Sequence, residues 1–240
     1  MVRGDEMDLL IKGSTELNKM FACLDKTASG LRRDFGEVEN LQQSLRGARD
    51  FVAKASVRIE ESILNDLLLV RPSAGLLTPN MTRDGDGRDE FVLAISGAAN
   101  FVRANPNFAI SLALRSGGET KIALIYAPIL DKLYYAESGA GACVFSAFHS
   151  TKIRVSQISE PSDLMIAYNT NDNSAKIGDV RMSGCPALDM ASVAAGKLDA
   201  FISDPLDYAE IAAGDLIVRE AGGKIISGEH LVVTNGHVEL

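Results

Sequence analysis

Apolar residues at Leu10, Leu17, Met20, Phe21, Leu24 and Leu31 recur at a helical spacing, which predicts an amphipathic helix over residues 6–34 with one buried stripe. Gly13 and Gly30 weaken that helix without breaking it. A second stripe, Val52, Ala55, Ile59, Ile63 and Val70, predicts another helix that ends before Pro72, because a residue preceding proline is pushed out of helical geometry. Ser56 falls on the inward face of this second helix. From 81 to 90 the pattern lapses into charges around Gly85 and Gly87, which reads as an exposed loop. Alternating or short apolar runs bounded by turn residues then predict strands at 90–95, 108–114, 121–126, 133–137 and 152–155. Strands that follow one another so closely imply an antiparallel sheet. The remainder is mixed: a strand at 163–168, a helix at 187–195, a strand at 198–203, a helix at 208–221, and closing strands at 224–227 and 231–234. A helix pair, a run of strands and a mixed end fit a layered α+β or α/β sandwich.

At 240 residues and 46% hydrophobic, the chain is ample for a packed core. The run 63–70 is interrupted by Asn65 and Asp66 and falls far below the roughly 20 apolar residues of a membrane span. The charged start, with Arg3, Asp5, Glu6 and Asp8, does not read as a secretory signal, so the expected location is the cytoplasm. Cys23, Cys143 and Cys185 stand far apart with no CxxC spacing, which argues against a disulfide framework or a thiolate metal site. A formal net charge of -8, with Arg32-Arg33 the densest basic cluster, disfavours direct nucleic-acid binding.

Three blocks carry a resemblance. Gly97-Ala98-Ala99-Asn100-Phe101-Val102 with Asn107-Phe108-Ala109-Ile110-Ser111-Leu112 resembles the signature D-P-hydrophobic-D-G-T-T-N-F-V and the strand that trails it in the inositol monophosphatase family. Arg181, Gly184, Ala187-Leu188-Asp189 and Val193 to Asp199 resemble R-x-x-G-S-A-A-L-D with V-A-A-G-R-L-D. Ile211 to Gly214 and Leu216 to Gly223 resemble W-D-hydrophobic-A-A-G-x-L-I-V-x-E-A-G-G. The stretch from Asp34 to Val52 is also similar to the SuhB branch of alphaproteobacteria. The resemblance implies an α+β fold, a layered α-β-α-β-α sandwich of the inositol monophosphatase and sugar phosphatase type. It would be one domain over 1–240, with a helix pair and antiparallel sheet in 1–155 and a shortened α/β half in 156–240.

Members of that family hydrolyse phosphate monoesters with magnesium, a hard ion that takes oxygen ligands in octahedral geometry. Their carboxylates come from T-x-x-D, G-E-E, D-P-x-D-G-T and the W-D that opens the last helix. Carried over by motif, those positions hold Ser56, then Pro79 and Asn80, then Leu93, Ser96 and Ala98, and finally Glu210, the acid that remains. Glu210 also suits the start of a helix, where an acid faces the positive end of the macrodipole, and Asp207 shares that role. The acidic loop from Asp84 to Glu90 fails the EF-hand pattern, and His149, His230 and His237 lack ligand spacing and read as surface residues.

The resemblance therefore implies a scaffold kept while its metal ligands were lost: a catalytically inactive binding or regulatory protein with no cofactor. The SuhB branch is associated with ribosomal RNA antitermination, so a transcription partner such as NusA is implied, as is a homodimer. The alternative is a magnesium-dependent phosphatase acting on inositol monophosphate or a related sugar phosphate through a residual site at Glu210. A third reading is a metal-free anion site at the amides of Gly97 and Ala98 with Ser203.

Overall fold

The computed structural model describes residues 11–41, 44–170 and 177–238. Two long helices open the described chain, α1 (Thr15–Asn40) and α2 (Leu45–Val70). Each is started by a serine hydroxyl that accepts an otherwise unpaired amide: Ser14 from Leu17 and Ser44 from Gly47, both at 3.2 Å. The apolar stripe of α1 is where the sequence places it, but the helix starts at Thr15 and continues past residue 34 to Asn40, carrying Val38 into the core. Leu10, read as the first residue of that stripe, lies outside the described residues.

An eight-stranded sheet follows: β1 (Gly75–Leu77), β2 (Thr82–Arg83), β3 (Asp89–Ser96), β4 (Ala109–Ser116), β5 (Glu119–Ala127), β6 (Lys132–Glu137), β7 (Gly141–Ser146) and β8 (His149–Ile153). Its order is β2-β1-β3-β4-β5-β6-β7-β8. From β3 to β8 it is an antiparallel meander, as the closely spaced strands predict, with β7 as a strand the pattern did not show, and β1 joins it in parallel to β3. The loop expected over 81–90 is exposed, although Thr82 and Arg83 pair within it with β1. The strand expected at 152–155 sits earlier, because it is the return arm of a hairpin with β7 turned at Ala147 and Phe148.

The short helix α3 (Ala98–Val102) links β3 to β4. The second sheet comprises β9 (Met165–Asn169), β10 (Asp179–Arg181), β11 (Ala200–Ser203), β12 (Lys224–Ser227) and β13 (Leu231–Thr234), in the order β10-β9-β11-β13-β12. Between the sheets lie α4 (Pro186–Ala194) and α5 (Tyr208–Glu220).

Strand alternation sorts the interior into layers. Phe91, Leu93, Ile110, Leu112 and Leu114 face the α1–α2 pair, with Phe101 and Phe108 of the α3 region stacked at 4.5 Å between ring centres. Val92, Ala94, Ala109, Ala113 and Ala123 face the other way, toward α4 and α5. This second layer is built from small residues, so α5 lies close to the sheet. Gly214 shows how close α4 and α5 come: a Cβ built there would stand 2.5 Å from Met190 Sδ. Gly214→Ala is therefore expected to lower stability by about 1–2 kcal/mol in urea denaturation, overpacking outweighing the gain in helix propensity.

Candidate functional site

The positions that the family motifs single out converge on the end of β3 and the helix starts around it. Ser96 closes β3 and is buried, at 2% exposure. Gly97 follows with φ 85°, and α3 begins at once. From α3, the Asn100 amide donates to the carbonyls of Asn107 at 2.7 Å and Ser183 at 2.8 Å, tying α3 to the segment that leads into α4. That segment turns at Gly184, φ 72°, and places Cys185 and Ala187 against β3. Proline at the first position of α4 is favourable because its absent N–H would have had no helical partner.

Ser96 Oγ accepts the Ala187 N–H at 3.2 Å, and the Cys185 thiol points at Ser96 Oγ and its carbonyl, both at 3.5 Å. The hydroxyl thus caps the start of α4. Burial pushes the Cys185 thiol up to about 11, so it is a neutral, inert group at ordinary pH.

Leu93 stands three residues before Ser96 and is fully buried among Phe91, Leu112 and the helix pair. The strand is continuous through both, so Leu93 faces α1 and α2 while Ser96 faces α4. The structure does not bring these two positions together. Ala98 is exposed on the first turn of α3.

Ser56 is half-buried on α2, one turn before Glu60. Glu60 is half-buried too, and burial raises its carboxyl above the ordinary range while a hydrogen bond with Asn80 opposes that rise. Asn80 and Pro79 are exposed at the tip of the β1–β2 turn, where the Thr78 hydroxyl accepts the amides of Asn80 and Met81. Glu210 lies in the first turn of α5, its amide donating to the Asp207 carbonyl at 2.9 Å, and its carboxyl is likewise raised by burial. Ser203, buried at the end of β11, exchanges hydrogen bonds with Asn169 on β9.

Of the histidines, His149 and His237 are exposed as expected. His230 is half-buried, with Nδ1 3.6 Å from Asp204 Oδ1, which the sequence did not show. Glu60 was also missed; its spacing of four from Ser56 on one helix was the available signal. In the acidic loop, Asp86 Oδ1 accepts the amide of Arg88. Among the described residues no group of three His, Cys, Asp or Glu side chains is placed to hold a metal ion.

The profile of the Inositol monophosphatase family matches residues 15–238. The chain belongs to the inositol monophosphatase family. An Inositol-1-monophosphatase of Rhizobium meliloti is 36% identical over 228 residues, 88% of this chain and 84% of that protein. The Nus factor SuhB of Pasteurella multocida is 28% identical over 242 residues, 92% of this chain and 89% of that protein. Among solved structures, the extragenic suppressor protein suhB from Bartonella henselae superposes with a TM-score of 0.80 at 32% identity, covering 94% of this chain and 95% of that one. The fold is that of the inositol monophosphatases, α+β with two mixed sheets and flanking helices, and no described helix is long and apolar enough to cross a membrane.

A magnesium cluster is what this family implies, and the donor set can be tested against it. The mapped positions offer the hydroxyl of Ser56, the ring of Pro79, the amide of Asn80, the isobutyl group of Leu93, the methyl of Ala98 and the Ser96 hydroxyl, whose oxygen already accepts the Ala187 amide. Glu210 adds one carboxylate whose neutral form burial favours. A hard cation that rarely sheds its water needs several anionic oxygens. These residues do not fit it.

Proposed function

We propose that this chain is a non-hydrolytic member of its family, a binding or regulatory protein built on the phosphatase scaffold. The observation that carries this reading is the state of β3, where one family carboxylate position is core leucine and the other is a serine engaged as a helix cap. The backbone-shaping residues around them, Gly97, Asn100, Gly184 and Gly214, are retained in working geometry. As partners we propose a second copy of the chain and a protein of the transcription machinery such as NusA, in keeping with relatives named Nus factor SuhB.

The second reading is magnesium-dependent hydrolysis of inositol monophosphate or a related sugar phosphate. The names of the relatives favour it: proteins named Inositol-1-monophosphatase reach 34–36% identity, against 28% for the SuhB of Pasteurella multocida. Glu210 is the carboxylate on which such activity would rest. Calorimetric titration with magnesium, with and without inositol 1-phosphate, separates the two. The expected result is no saturable heat and phosphate release no faster than from Glu210→Ala. Tight magnesium binding with turnover that Glu210→Ala removes would establish the phosphatase instead.

A further inference from the structure

Among the described residues, three aspartates are nearly inaccessible: Asp34 at 5%, Asp189 at 4% and Asp199 at 3% exposure. Two of them are well compensated. Asp34 meets Arg58 at 2.6 Å, and Asp199 accepts the Met165 amide at 2.7 Å and the Ser156 hydroxyl. Asp189, in α4, receives one hydroxyl among the described residues, that of Ser183 at 2.7 Å. An ionised carboxylate so placed is poorly solvated, and burial raises its pKa to about 6.

The Ser183 bond is one end of a continuous chain. Ser183 Oγ also accepts the Cys185 amide at 3.0 Å, and its carbonyl accepts Asn100 of α3. The Cys185 thiol continues to Ser96, whose hydroxyl takes the Ala187 amide at 3.2 Å. The carboxyl is therefore wired to both contacts that hold the start of α4 on the end of β3. The titratable group that feels its charge is Cys185 at the start of the same helix. From α5, β4, β5, β11 and β13, which pack on α4, no charged side chain among the described residues acts on it.

We propose that this chain of hydrogen bonds is a proton-operated latch, closed over the end of β3 when Asp189 is neutral and released at residues 183–187 when Asp189 is ionised. Ionisation leaves a charge at 4% exposure with one hydroxyl on Oδ2, and moving Ser183 aside opens that oxygen to water. The closed form binds the proton more tightly than an open, hydrated form, so its advantage is complete below about pH 4 and is lost as pH rises through about 6. With an ordinary carboxyl in the open form, opening becomes about a hundredfold more favourable by pH 7. The proposal does not depend on whether the chain hydrolyses phosphate.

Hydrogen exchange at the amides of Cys185 and Ala187 tests it, in the wild-type chain and in Asp189→Asn, with the β5 amide of Leu124 as internal reference. Protection at the two latch amides is expected to match between the proteins at pH 4 and to be roughly a hundredfold lower in the wild type at pH 7, with Leu124 unchanged. Equal protection at pH 7, or a parallel loss at Leu124, would overturn the latch. If Asp189→Asn does not fold, the wild-type pH series alone decides: latch protection relative to Leu124 must fall between pH 4 and 7.

Discussion

Leu93→Asp, which reinstates by name the carboxylate that the family carries at this position, is expected to leave the chain largely unfolded. Leu93 has no exposure, pairs with Leu112 across β3 and β4, and packs in the layer between the large sheet and the α1–α2 pair. Removing a buried leucine side chain costs about 2–5 kcal/mol. A carboxylate in the same place adds several more unless it is protonated or paired. The sum is comparable to the whole stability of an ordinary domain, about 5–15 kcal/mol. In urea denaturation followed by circular dichroism, the variant should show little or no native baseline at pH 7, while Leu93→Met should lose less than about 1.5 kcal/mol. Lower pH should help the variant, because a carboxyl raised by burial favours folding while neutral and loses that contribution as pH rises. Millimolar magnesium should not. Recovery of the folded state by magnesium would mean that this position reaches a metal site, and the non-hydrolytic reading would fall with it.

Much of the architecture was legible because it rests on periodicity. The stripe on α2 and its end at Pro72, and the positions of β3 to β6, follow from spacing alone. What escaped was short or set by distant partners. β2 is two residues and β1 and β10 are three each, too short for a pattern, and they exist through pairing with β1, β3 and β9. β7 starts at Gly141 and is half-exposed along most of its length, so its residues carry little alternation. In the site, motif matching identified which side chains stand at the family positions, but not which way they point. A spacing of three on a strand sends Leu93 and Ser96 to opposite faces, whereas on a helix it would have kept them together. The burial of Asp189 was invisible in the sequence, because it comes from layers contributed by both halves of the chain.

Gly97→Ala carries the second large effect, and it tests the part of the motif that has been kept. At φ 85° an L side chain is strained, at about 1–2 kcal/mol. A Cβ would also stand 2.8 Å from the Asn107 carbonyl, 3.1 Å from Phe108 Cα and 3.2 Å from Cys185 Cβ, and neither backbone atom belongs to a flexible tip that could swing aside. Overpacking of this kind adds about 1–3 kcal/mol, so a total near 3 kcal/mol is expected. Gly87 supplies the control. Its φ is 79°, but nothing lies within 4 Å of its missing Cβ, so Gly87→Ala should show the backbone strain without the crowding. The excess loss at Gly97 then measures how tightly the end of β3 is pressed between the Asn107–Phe108 segment and the start of α4. The crowding has a local consequence too. Asn100 spans from Asn107 to Ser183 through one amide nitrogen, and Phe101 stacks on Phe108. Displacing Asn107 by even a few tenths of an ångström disturbs both, so exchange protection at Ala187 should drop in Gly97→Ala and stay unchanged in Gly87→Ala. Equal stability losses in the two variants would show that the turn tolerates a side chain, and that the retained glycine does not set the close approach of β3 and α4.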